Sequence, residues 1–116
     1  MIPFKNRFHG YGSLKYVYSN GETVRSRLIS LKHSTHPKRK GQRIAVVVSK
    51  KVIKGAVYRN RIRRRVYETI RQELPHLKQG KDMVFVVFSA ELLSIESSEL
   101  TANIKQLLTD AGIYRD

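Results

Sequence analysis

The spacing of hydrophobic residues changes from one stretch of the chain to the next, and each change marks an element. In "YGSLKYVYSNG", Leu14, Val17 and Tyr18 recur at helical spacing and the run closes on Asn20-Gly21, which predicts a short helix from about Gly12 to Ser19. "TVRSRLISLKH" alternates instead, with Leu28, Ser30 and Lys32 on one side and Ile29, Leu31 and His33 on the other, the pattern of a strand. Ser30 and Lys32 are poor core residues, so that side of the sheet is expected to stay partly open. A further short strand fits near Thr23 to Ser26. "HPKRKGQ" is turn chemistry joined to a basic loop, and the β-branched "RIAVVVS" that follows is expected to pair with the preceding strand as a hairpin.

The period then returns to that of a helix. Ile62, Val66, Ile70 and Leu74 recur every four residues until Pro75 stops the pattern. Arg61, Arg64, Glu68 and Arg71 fall opposite that seam, and Arg63 and Arg65 fall on its flanks. "KDMVFVVFSA" is almost continuously apolar, as a strand covered on both faces or central in a sheet would be. "SIESSELTANIKQLLTDAG" puts Leu100, Ile104, Leu107, Leu108 and Ala111 on one stripe, with serines available as N-caps and Gly112 as the stop. The order αβββαβα describes a small α+β sandwich, and 116 residues make one domain, 1–116, without internal repeats.

Charge adds a partner to this picture. Lys and Arg number 23 against 9 Asp and Glu, a formal net charge of +14. The segment from Lys38 to Arg71 alone carries +12, whereas the chain from Ser89 onward carries −3. Such an excess favours polyanions, because each neutralised phosphate releases condensed counterions. A merely solvated helix intersperses glutamates among its cations, and the stretch from Arg59 to Arg71 has only Glu68. Its cations are arginines, whose planar forks grip phosphates bidentately and stack on bases, which favours structured nucleic acid over a membrane surface. Tyr11, Tyr16 and Tyr18 lie close in sequence to a strand bearing Arg25, Arg27 and Lys32; they suit base stacking or core filling equally.

Several chemistries are excluded. Without cysteine there are no disulfides, zinc knuckles or thiol catalysis. Two-metal phosphodiester cleavage needs clustered carboxylates, and Glu22 and Glu68 are the only ones from Glu22 to Arg71, so no catalytic residue and no metal site of the protein's own is expected. His33 and His36 flank a loop with no third ligand near in sequence, and a surface or phosphate-contacting role fits them better than zinc; His9 and His76 are isolated. No apolar run is long enough to cross a bilayer and the N-terminus lacks a secretory signal, so a soluble cytoplasmic protein is expected.

With these residues in view, "SKKVIKGAVYRNRIRRRVYETIR" resembles the bacterial ribonuclease P protein family, whose signature is a Lys-Lys pair after a strand, a short loop, and Arg-Asn-Arg opening a basic helix. Lys50, Lys51, Arg59, Asn60, Arg61, Arg64 and Arg65 match as they stand, and the remaining elements follow the family's order over nearly the full chain. The resemblance implies a left-handed βαβ crossover, an exception to the usual handedness. It implies that catalysis belongs to a large RNA carrying the Mg²⁺ ions, and that the protein docks on this RNA and holds the 5′ leader of precursor tRNA. On that analogy Lys50, Lys51, Arg59, Asn60, Arg61, Arg64 and Arg65 face the catalytic RNA, and Leu14, Tyr18, Ser30, Lys32 and Arg63 form the leader cleft. The sequence departs from the family at Leu14, which offers no ring where phenylalanine is favoured, at Ile53, where glycine is common, and at Tyr67, a position often basic. A ribosomal or other RNA-scaffolding protein would share the composition. A major-groove DNA reader fits less well, since only Asn60 suits adenine edges and the arginines spread over more than one face.

Overall fold

The computed structural model describes residues 6–8, 11–36 and 41–115, so the basic loop at 37–40 and His9 lie outside the described residues. Helix α1 spans Tyr11–Asn20, followed by strands β1 (Glu22–Arg25), β2 (Ile29–Thr35) and β3 (Arg43–Val48). Helix α2 (Ala56–Glu73), strand β4 (Lys81–Val87) and helix α3 (Ser97–Asp110) complete the fold, with short 3-10 turns at Leu74–His76 and Ala90–Leu93. The architecture is α+β, one four-stranded mixed sheet with three helices.

The sheet order is β1-β2-β4-β3, which overturns the expected β2–β3 hairpin. Strand β4 lies between them, antiparallel to β2, with Leu31 opposite Phe85, and parallel to β3, with Val46 opposite Phe85. The reason lies in β4 itself. Met83, Val84 and Phe85 are all fully buried, and a strand apolar on both faces gains most in the centre, whereas β3 reaches β4 through α2 and must run parallel to it.

Alternation along the strands separates two faces. Ile29 and Leu31 of β2, Met83, Phe85 and Val87 of β4, and Ile44, Val46 and Val48 of β3 join Ile62, Val66 and Ile70 of α2 and Leu100, Ile104, Leu107 and Leu108 of α3 in one core. The opposite face carries Ser30, Lys32, Arg43, Ala45, Val84 and Val86, and α1 lies across it with Val17 fully buried. Two side chains depart from the sequence pattern. Leu28, grouped by alternation with Ser30 and Lys32, precedes β2 and turns into the core. His33, expected at the surface, is buried on β2.

The helix ends follow local chemistry. The Gly21 amide bonds to the Val17 carbonyl at 2.9 Å. A Cβ at Gly21 would meet the backbone oxygens of Val17 and His33 at 2.6 and 2.8 Å, so the close pass from α1 into β1 requires glycine. Gly112 ends α3 at φ 68°. The serines do not cap α3: Glu96 is its N-cap and makes no side-chain cap bond, while Ser97 and Ser98 lie in its first turn. Ser89 does cap a turn, its Oγ accepting from the Glu91 amide at 3.1 Å.

Candidate nucleic-acid interface

Helix α2 holds its cations by burying its seam. Ile62, Val66 and Ile70 are fully buried, and Leu74 is half-buried where the helix tightens into the 3-10 turn at Pro75. Arg61, Arg64 and Arg71 are exposed and Arg63 and Arg65 half-buried, as the spacing predicts. Glu68 accepts from Arg71 at 2.9 Å, and this bond holds its carboxyl below the usual range.

The cations matched to the family motif differ in what they are free to do. Lys50 and Lys51 are exposed in the turn between β3 and α2, and Arg61 and Arg64 project from the helix. Arg59 is turned inward, its Nη1 donating to the carbonyls of Ile53 and Lys54, so it closes the loop that leads into α2. Arg65 donates from Nη1 to the Leu92 carbonyl at 2.6 Å and from Nη2 to that of Ile95. That guanidinium ties α2 to the segment before α3. Asn60 accepts from Arg63 Nη1 at 2.6 Å, and with Arg64 and Tyr67 these residues line an open cavity of about 330 Å³ on α2.

The second group assembles on the sheet face crossed by α1. Lys32 sits with its Nζ 5.5 Å from the Tyr18 ring centre, and Ser30, its neighbour on the same face, is buried between Arg25 of β1 and Val86 of β4. Tyr18 remains 42% exposed, and burial of the rest raises its phenol above the ordinary value. Leu14 is half-buried one turn earlier on the same flank. Tyr16, 47% exposed, is likewise no core residue. Arg63 stands apart from this group, because α2 packs on the other face of the sheet, and it keeps company with Asn60, Arg64 and Tyr67.

Register reveals contacts that sequence reasoning missed. Arg25 lies over the Phe88 ring at 4.6 Å and Arg43 over the Phe8 ring at 5.0 Å. With Lys32 and Tyr18 this makes three cation–ring pairs on one side of the sheet, each presenting a flat apolar surface beside a positive charge. No local signal links Arg25 to a residue so distant in the chain.

The carboxylates are dispersed. Asp82 is fully buried against Arg43 and lies 3.2 Å from His36 Nε2, Glu91 pairs with Arg27 at 2.7 Å, and Glu73 accepts from the Tyr114 hydroxyl at 2.7 Å. Among the described residues no three His, Asp or Glu side chains gather to hold a metal ion. No helix of the described residues is long and apolar enough to cross a membrane.

A small mixed sheet with an arginine-rich helix on one face and a basic, ring-bearing cleft on the other defines the class of the fold. The family model described as Ribonuclease P matches residues 2–112, and the chain belongs to the ribonuclease P protein family. It is 34% identical to the ribonuclease P protein component of Pseudanabaena over 97% of both chains, and 35% identical to that of Chloroflexus aggregans over 91% of this chain and 77% of that one. With the component from Roseiflexus castenholzii it shares 41% identity over 67% of this chain and 63% of that one. The ribonuclease P protein structure from Staphylococcus aureus superposes with a TM-score of 0.82 at 20% identity, covering 95% of this chain and 98% of that one. The protein from Thermotoga maritima gives 0.78 at 19% identity, covering 90% and 96%. At such identities these two structures speak for the fold.

Proposed function

We propose that this chain is the protein component of a bacterial ribonuclease P ribonucleoprotein, assisting a catalytic RNA in the Mg²⁺-dependent removal of the 5′ leader from precursor tRNA in the cytoplasm. The observation that carries this reading is the family match over residues 2–112 joined to a helix whose seam is buried and whose outer arginines are left to solvent. Lys50, Lys51, Asn60, Arg61 and Arg64 bind the RNA subunit through its phosphates. Arg59 and Arg65 support that surface by fixing the loop before α2 and the segment before α3.

Tyr18, Lys32 and Ser30, with Leu14 beside them, line the groove for the single-stranded leader, which is held by stacking and by cations along its backbone. Arg63, placed in the leader cleft by resemblance, lies on α2 bonded to Asn60 and in this reading joins the surface for the RNA subunit. The chemistry of hydrolysis stays with the RNA. In this reading Mg²⁺ is held by the RNA and the substrate, while Asp82 pairs with Arg43 and Glu73 accepts from Tyr114 within the protein. Neither DNA nor a membrane is a partner in this reading.

Reconstitution tests it. The protein added to the catalytic RNA from the same source at low Mg²⁺ should accelerate leader cleavage; a rate no faster than that of the RNA alone would overturn the assignment.

A further inference from the structure

A second cavity, of about 300 Å³, opens on the other flank of α1. Val17 marks the buried direction of this helix; Leu14 and Tyr18 fall to one side of it and Tyr16 to the other. Tyr16, Glu22 at the start of β1, Lys81 at the start of β4, and His33 and Ser34 of β2 are among the residues that line it. The volume is at the lower end of that of small-molecule sites, which begin at roughly 300 Å³.

The polar groups here are arranged for a ligand that has donors beside an acceptor. No hydrogen bond or ion pair joins Glu22 to Lys81, although the Glu22 charge reaches Lys81 and opposes the lowering of its pKa by burial. Lys81 spends one ammonium hydrogen on Thr35 Oγ1 at 2.7 Å and keeps two. Ser34 Oγ is buried and has no hydrogen-bond partner among the described residues. Burial and the neighbouring Lys81 push the His33 imidazole below its usual pKa. Tyr16, tilted 44° to His36 at 5.7 Å, offers a half-exposed ring at the rim. A free phosphate would meet the Glu22 carboxylate and be repelled. A nucleobase would not, and guanine alone carries two adjacent N–H donors next to a carbonyl acceptor on one edge.

We propose that this cavity holds a guanine base, with its N1–H and N2–H₂ groups on the Glu22 carboxylate, its O6 on the Lys81 ammonium and its ring against Tyr16. The pocket lies apart from the leader groove, and it rests on the RNA-binding reading only for one of its two sources of guanine, a guanosine within RNA; the other is a free guanine nucleotide.

The test is a titration of the full-length ¹⁵N-labelled protein with GMP, AMP, CMP and inorganic phosphate, following the amides of Glu22, Ser34 and Lys81. GMP should shift these signals saturably and bind about tenfold or more tighter than AMP or CMP, the discrimination of one bidentate contact. Inorganic phosphate should leave them in place. Equal affinities for the nucleotides, an equal response to phosphate, or no response at all would overturn the pocket. The exposed Glu22→Gln variant should keep its fold and lose the preference for GMP, and Lys81→Met should weaken GMP binding; an undiminished preference in both would also overturn it. The trinucleotide UGU binding tighter than GMP assigns the guanine to RNA, and GMP binding at least as well assigns it to the free nucleotide. The titration needs no catalytic RNA. Absent guanine binding in a protein that accelerates leader cleavage would sink the pocket alone, and guanine binding in a protein that does not would sink the functional reading alone.

Discussion

Arg43 and Asp82 face each other across the parallel β3–β4 pair, with Nε 3.0 Å from Oδ1 and Nη2 2.9 Å from Oδ2, and the Asp82 side chain is wholly shut off from solvent. This fork fixes the register of the edge strand against the central one, on the face where α1 lies. His36 approaches the same carboxylate, so the end of β2 converges on it as well.

Removing one member of such a pair strands the other. Asp82→Ala should cost about 3–5 kcal/mol of stability, read by urea unfolding, whereas Arg43→Met with Asp82→Leu should recover most of that loss. A single-variant cost below 1 kcal/mol would contradict the role given to the pair.

The arginines of α2 should separate into two kinds. Arg61→Ala and Arg64→Ala should leave the unfolding midpoint unchanged and each lower the slope of log affinity for the catalytic RNA against log salt by about one. Arg65→Ala should cost about 1–3 kcal/mol of stability, because the Leu92 and Ile95 carbonyls lose their charged donor. A salt slope altered by Arg65→Ala with no change in stability would show that its guanidinium serves RNA instead.

At the groove, Tyr18→Ala should weaken binding of leader-bearing precursor by about 1–3 kcal/mol, the contribution of one stacked base, and leave mature tRNA affinity unchanged. Tyr18→Phe should retain the discrimination. Equal losses for both RNAs, measured by filter binding, would remove Tyr18 from the leader site.

His33 makes stability depend on pH. Its folded pKa lies below the ordinary histidine value of 6.5, chiefly through burial, so between those two values the unfolded chain binds more protons than the folded one. Its contribution is therefore complete above pH 6.5 and declines as pH falls toward the folded pKa. Unfolding curves at pH 5.5 and 7.5 should show a smaller loss on acidification for His33→Gln than for the unaltered protein.

Much of this architecture is legible along the chain. The four-residue recurrence of Ile62, Val66 and Ile70 is a local property, and so are the stops at Gly21 and Gly112 and the division of α2 into a seam and a cationic face. The run from Met83 to Val87 announces a strand buried on both sides, and the Lys50 to Arg65 stretch carries the family signature. Such features depend on neighbours within a turn or two, where backbone geometry leaves few choices.

The partners of each strand depend instead on contacts far apart in the chain. Alternation in β2 and β3 fits a hairpin as well as the observed insertion of β4, and only the packing of α2 and α3 over one face decides between them. The same holds for side chains. From sequence Arg59, Arg61, Arg64 and Arg65 all match the family motif, yet two are tethered to carbonyls brought near by folding and two are left to solvent. Arg25 meets Phe88 because β1, β2 and β4 align in one register. Charge and periodicity were determined by the sequence itself; which charges remain available to a partner was decided by the tertiary structure, because burial and hydrogen bonding are settled between segments.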